Sequence, residues 1–122
     1  VHFVGHLTET DSLLQASDLF CLVSEYEGQS NSLMEAIHWR IPAVVTDIPG
    51  NRDLIPDGDH GYLCPIGDRI AIAKQMAAVL DDPVGANARA ERASLRLQAV
   101  FDPQAMIDGY ASLYRSILQQ AN

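Results

Sequence analysis

Two acids eight positions apart, Glu27 and Glu35, flank the polar stretch Glu27-Gly28-Gln29-Ser30-Asn31-Ser32, which lies between the apolar run DLFCLVS and the helical pattern NSLMEAIHW. Carboxylates accept hydrogen bonds from vicinal hydroxyls, the groups that a ribose or a hexose presents. Gly28 permits close approach of a ligand to the backbone, while Gln29, Ser30, Asn31 and Ser32 supply donors suited to phosphate and sugar oxygens. A nucleotide-sugar would use both sets. A purely structural reading fits the same residues: Ser32-x-x-Glu35 is a capping-box pattern, in which Glu35 bonds back to the helix start, and Glu27 is an ordinary turn acid.

The elements that must position these groups follow from periodicity. VHFVG has strand character, and LTETDSLLQAS shows apolar residues at helical spacing after Thr8, the expected N-cap. DLFCLVS is a near-continuous apolar run, as expected of a parallel strand buried on both faces. The pattern NSLMEAIHW is helical until Pro42 interrupts it, and AVVTD gives a strand rich in β-branched valine. IPGNRDLIPDGDHG is dense in turn formers and leads to a short strand, YLCP. Three helical segments complete the chain. The first follows Asp68 as N-cap, and the other two begin at Pro83 and Pro103, where a first turn tolerates proline.

This alternation predicts one α/β domain over residues 1–122, a Rossmann-like parallel sheet flanked by helices with a helical carboxyl terminus. In such sheets ligands bind beyond the carboxyl ends of the strands, where the loop into the next helix presents unpaired N–H groups. The stretch Glu27–Ser32 occupies that place.

Composition narrows the partners. The 122 residues are 48% hydrophobic and 20% charged, which fits a globular domain with a core. A formal charge of −8 argues against a nucleic-acid surface, since phosphate-backbone binding draws on clustered Lys and Arg. A small anion held by backbone N–H groups needs no such surface. Cys21 and Cys64 lack metal or redox spacing and read as two buried, reduced thiols. The four histidines are scattered without ligand spacing, and Asp57-Gly58-Asp59 reads as a turn rather than a metal-binding D-x-D, so no metal is expected. Trp39 is expected in the core or between domains. No apolar run approaches a bilayer span and no signal-peptide pattern is present, so a cytoplasmic chain is expected. Val1 begins directly in an apolar segment, which reads as a piece of a longer protein.

The ordered series SEYEGQSNSLMEAIHWRIPAVVTDIPGNRDLIPDGDHGYLCPIGD resembles the carboxyl-terminal, donor-binding domain of GT-B glycosyltransferases, most closely the retaining family 4 or group 1 enzymes. Glu27 and Glu35 match the family's E-x7-E, IPAVVTD its next strand, Pro49-Gly50 its turn and DGDHGYL its closing motif. The VHFVGHL start is also similar to the family's preceding strand and loop. The resemblance implies transfer of a hexosyl group from a nucleoside diphosphate sugar to a glycan or lipid-linked acceptor, with no cofactor beyond the donor. It implies that Glu35 bonds the ribose and that Glu27 positions the donor sugar at the catalytic centre. The Gly28-Gln29-Ser30-Asn31-Ser32 segment would meet the sugar and diphosphate, and Gly5, His6 and Leu7 would lie near the base.

It further implies an amino-terminal acceptor domain outside this chain, peripheral membrane association through that domain, and inactivity of this segment alone. The apolar face of the last helix, with Ile107, Tyr110, Leu113, Tyr114, Ile117 and Leu118, would then be partly exposed here. The same fold also admits a non-catalytic nucleotide-binding module or a nucleotide-sugar epimerase. Three positions depart from the family pattern. Arg40 replaces a helix-ending glycine and is expected to end the helix differently, Asp53 replaces Glu, and Ser30 replaces the loop's second glycine. The family's Arg and Lys phosphate clamp matches no residue of this chain.

Overall fold

The computed structural model describes residues 1–120. Three short parallel strands, β1 (Phe20–Leu22), β2 (Ala43–Thr46) and β3 (Tyr62–Cys64), form a sheet in the order β1-β2-β3. Phe20 aligns with Ala43, and Val44 with Tyr62. The helices are α1 (Asp11–Gln15), α2 (Asn31–His38), α3 (Pro49–Arg52), α4 (Arg69–Asp81), α5 (Pro83–Val100) and α6 (Pro103–Gln120).

All four residues of β2 are buried, as a central strand covered on both faces requires. Its alternation divides the core. Ala43 and Val45 join Leu33 and Ile37 of α2, Leu54, Ile55 and Ala93 of α5. Val44 joins Cys64, Val79 of α4 and Ala86 on the other side. Burying one such valine contributes roughly 1.5–3 kcal/mol.

The helix starts and stops have identifiable causes. Asp68 caps α4 by accepting the N–H groups of Ile70 and Ala71. Asp82 is both the C-cap of α4 and the N-cap of α5: its N–H donates to Ala78 O, and its carboxylate accepts from Gly85 N. A Cβ at Gly85 would overlap that carboxylate. The carboxyl end of α2 is a Schellman motif, with Arg40 N–H on Ile37 O at 3.0 Å and Ile41 N–H on Ala36 O at 2.9 Å. Arg40 takes φ 57°, so it keeps the left-handed conformation that glycine would adopt, contrary to the expectation that it ends the helix differently. The two bonds, burial of Ile41 and an Arg40 Nε–Glu91 Oε2 ion pair of 3.1 Å hold it there.

Four other expectations are corrected. VHFVG is not a strand: it has no ladder partner, and Val1, Phe3 and Val4 are exposed, so no apolar face anchors it. Thr8 is not the first cap. The helix α1 follows Thr10, and the Glu9 carboxylate takes both the N–H and the hydroxyl of Ser12. The turn-forming stretch contains a short helix, α3, started by Pro49 at its first position. Of the two thiols only Cys64 is buried: it packs with Val44, Val79 and Ala86, whereas Cys21, on the opposite edge strand, joins neither core cluster and is exposed.

Trp39 is half-buried and donates its indole N–H to Asp11 Oδ1 at 3.1 Å, tying α1 to the end of α2. The apolar residues of α6, among them Tyr110, Leu113, Tyr114 and Ile117, are exposed. Among the described residues no helix is long and apolar enough to cross a membrane.

Candidate functional site

Parallel strands bring their carboxyl ends to one edge of the sheet, and the loops leaving β1 and β2 meet there. The first loop runs from Val23 to Ser30 and opens α2. Ser30 is buried, takes the extended conformation of an N-cap, and its Oγ accepts the Leu33 N–H at 3.3 Å. A second bond of 3.0 Å joins the hydroxyls of Ser30 and Ser32. With Ser30 as cap, Ser32 is the second helical residue and the reciprocal capping position falls on Leu33. Glu35 lies two residues too far along to close a capping box. Its carboxylate, like that of the half-buried Glu27, has no hydrogen-bond or ion-pair partner among the described residues.

The second loop closes tightly on the first. A Cβ at Gly50 would overlap the Gly28 carbonyl oxygen and lie 2.5 Å from the Glu27 carbonyl oxygen, so only glycine fits this contact. Thr46, the last residue of β2, donates its hydroxyl to Ser24 O at 2.5 Å. The buried Asn51 donates from Nδ2 to Thr46 O at 2.9 Å and to Thr46 Oγ1 at 3.3 Å. Since the Thr46 carbonyl can only accept, it fixes which end of the Asn51 amide is nitrogen. Asn51 Oδ1 is buried without a donor among the described residues.

Asp47 and Arg52 form a two-point ion pair at the rim, with Nη2 to Oδ2 at 2.7 Å and a second bond from Nε to Oδ1. The Arg52 hydrogen bonds hold the Asp47 carboxyl below its ordinary value.

Of the sequence-derived site residues only Glu35 and Gln29 line a hollow, and they line two different ones that share Met34. Glu35 lines one of about 330 Å³, with Asp11, His38, Trp39 and Leu97. Gln29 lines one of about 460 Å³, with Phe101, Asp102 and Met106 among its walls. Glu27 lines neither and sits where the loop backbone meets Gly50. Gly28, Asn31 and Ser32 are exposed on the loop and first turn. Gly5, His6 and Leu7 lie on the exposed amino-terminal segment, outside both hollows.

Several charged groups are already engaged. Asp57 Oδ1 accepts the Asp59 N–H at 2.9 Å and meets His60 Nδ1 at 2.7 Å, so the D-x-D carboxylate serves its own turn. Along α5, Arg89 stacks over the Tyr62 ring at 5.0 Å, Arg92 donates to Asp59 O and Arg96 to Asp53 O. Arg92 and Arg96 hold the loop 53–60, and Arg89 packs on the first residue of β3. Among the described residues no three His, Cys, Asp or Glu side chains gather as a metal site. Thr46 and Asn51 were not among the residues singled out in the sequence. The strand-end position that Thr46 fills in the resembled pattern was a usable signal, whereas Asn51 reads only as a turn former.

A family model described as "Glycosyl transferases group 1" matches residues 1–82. N-acetyl-alpha-D-glucosaminyl L-malate synthase of Bacillus anthracis is 32% identical over 119 residues, covering 98% of this chain and 31% of that protein. The chain thus spans less than a third of this curated relative. Among solved structures, sucrose-phosphate synthase from Thermosynechococcus elongatus superposes with a TM-score of 0.82 at 24% identity, covering 88% of this chain and 27% of that one. HepE of Anabaena, solved in complex with UDP-glucose, gives a TM-score of 0.79 at 23% identity, with 85% and 29% covered. The chain belongs to the group 1 glycosyltransferases, and its parallel sheet flanked by helices is a GT-B domain.

Proposed function

We propose that this chain is the donor-binding domain of a retaining glycosyltransferase that moves a hexosyl group from a nucleoside diphosphate sugar to a glycan or lipid-linked acceptor. One observation carries the reading. The Glu27–Ser32 loop opens α2 at the carboxyl edge of the sheet, with two acids whose carboxylates have no partner among the described residues. Unpaired acids beside free helix-start N–H groups suit a ligand that carries hydroxyls at one end and phosphates at the other.

In this reading Glu35 accepts from the ribose hydroxyls, and Glu27 orients the donor sugar without acting as a general base. The Gly28–Ser32 segment faces the sugar and diphosphate. The α2 dipole adds about 0.3–1 kcal/mol toward the anion. That is too little to hold a diphosphate alone, so the remaining charge stabilisation belongs to basic groups outside this chain. The anomeric carbon's bond to the diphosphate oxygen breaks as its bond to the acceptor oxygen forms on the same face, the electron pair departs with the diphosphate, and the departing diphosphate oxygen takes the acceptor hydroxyl's proton. Catalysis rests on orientation and on stabilising that charge. The reading assigns no metal or other cofactor.

The neighbouring HepE was solved with UDP and with UDP-glucose, which favours a uridine nucleotide as the first probe. Two relatives are named for transfer to undecaprenol-diphosphate-linked glycans, which favours an acceptor carried on a lipid and a protein working at the cytoplasmic face of a membrane. The acceptor site is assigned to an amino-terminal domain, and this chain alone is expected to bind donor without transfer. Titration calorimetry with UDP-glucose tests the assignment. Heat that saturates with wild type and falls sharply with Glu35→Ala or Glu27→Ala supports it, and equal heats in all three would remove the two acids from the site.

A further inference from the structure

The two loops at the carboxyl edge are not independent. The turn after β2 reaches the loop after β1 at two places that differ in chemistry. At the first, the Gly50 backbone lies so close to the carbonyls of Glu27 and Gly28 that no side chain fits between them. At the second, the Thr46 hydroxyl donates to Ser24 O, three residues before Glu27, while accepting from Asn51 Nδ2. Asn51 is itself fixed by its bond to Thr46 O and by complete burial. One hydrogen-bond relay and one steric contact therefore clamp the stretch that leads into Gly28–Ser32.

We propose that Thr46, Gly50 and Asn51 are positioning residues that set the shape of the Glu27–Ser32 loop from the neighbouring turn. None of the three is required to touch the ligand. As an account of donor binding the proposal rests on the function proposed above. As an account of loop shape it stands separately, because both contacts exist without a ligand. The relay keeps one acceptor open, Asn51 Oδ1, buried and without a donor among the described residues.

The experiment compares wild type with Thr46→Val, which keeps the shape and removes the hydroxyl, and with Thr46→Ser, which restores it. Backbone amide order parameters are measured for the free chain, and UDP-glucose affinity by calorimetry. In Thr46→Val the amides of Gly28, Gln29 and Ser30 are expected to fall toward about 0.6, while those of α4 and α5 stay near about 0.85. The UDP-glucose dissociation constant is expected to rise about fivefold to tenfold, the scale of one lost hydrogen bond, and Thr46→Ser is expected to recover most of both losses. Gly50→Ala serves as a second variant: its methyl must displace the loop, so the Glu27 and Gly28 amide resonances are expected to shift.

Unchanged order parameters in Thr46→Val, or equal losses in Thr46→Ser, would overturn the proposal. So would Gly28 resonances that ignore Gly50→Ala. A wild-type chain that gives no heat with UDP-glucose would defeat the donor-binding function while leaving the order-parameter comparison to decide the clamp.

Discussion

At its carboxyl end α2 satisfies its own backbone, whereas at its amino end it leaves groups for something else to satisfy. The Schellman turn at Arg40 closes two carbonyls, and the Arg40 side chain pairs with Glu91 on α5. The Ser30 end closes one N–H with its hydroxyl and leaves the Glu27 carboxylate just before it without a partner among the described residues; Glu35, the fifth of the helix's eight residues, has none either. One helix eight residues long thus carries a stability device and a candidate binding device about three turns apart. Substitutions should act on folding at the first and on ligand affinity at the second.

The largest effect is expected where both loops touch at the amino end. Gly50→Ala should lower unfolding free energy by about 3 kcal/mol, because the methyl meets backbone carbonyls that cannot rotate away. Chemical denaturation checks this, and a loss below about 1 kcal/mol would mean the loops are less tightly closed than the geometry requires. Next, Glu35→Ala should weaken UDP-glucose binding roughly tenfold to a hundredfold, the range for a hydrogen bond to a charged group. Its melting temperature should stay within error, since the carboxylate has no hydrogen-bond or ion-pair partner among the described residues. A variant that melts early with binding intact would reverse the assignment of the two ends.

Smaller effects sharpen the contrast. Ser30→Ala should cost about 1 kcal/mol through loss of the cap. At the other end, Arg40→Gly relieves a left-handed residue worth about 1–2 kcal/mol and forfeits an exposed ion pair worth about 0.2–1 kcal/mol. Arg40→Ala forfeits the pair and keeps the strained backbone. Arg40→Gly should therefore be the more stable of the two, and the reverse order in paired urea melts would contradict the Schellman geometry.

The smallest effect is acidic. Asp47 has its folded carboxyl held below the ordinary value of 3.8, so its contribution is present above that value and disappears as pH falls through the folded one. The stability difference between wild type and Asp47→Asn should shrink between pH 6 and about pH 2, as followed by urea midpoints.

The sequence was most legible where local chemistry decides. The bounds of α4 and α5 and the Asp68 cap follow from periodicity, an aspartate and a proline, all within one turn of each boundary. The β-branched run of β2 likewise announced a strand, but burial on both faces was expected of DLFCLVS, whose strand β1 leaves Cys21 exposed, and is found in β2 instead. Long-range effects were not legible. Whether VHFVG becomes a strand depends on a partner that spacing cannot supply, and whether a thiol is buried depends on the distant residues that reach it, as Val79 and Ala86 reach Cys64 while Cys21 stays exposed. At the candidate site, the place of the polar loop between β1 and α2 was readable from residue types. The capping-box pattern starts two residues late, at Ser32, because two serines two apart offer equal hydroxyls, and Ser30 is the one that is buried and accepts the Leu33 N–H. Contacts such as Thr46 with Ser24 join residues that no local pattern connects.

Asp82 ends one long helix and begins the next with no residue between them. Fraying of the last turn of α4 removes the carboxylate that holds Gly85, and unwinding of the first turn of α5 frees the backbone that closes α4. The two helices therefore have a common end rather than two loose ones. Local opening there should register as one event, with slow amide protons on both sides of Asp82 exchanging together.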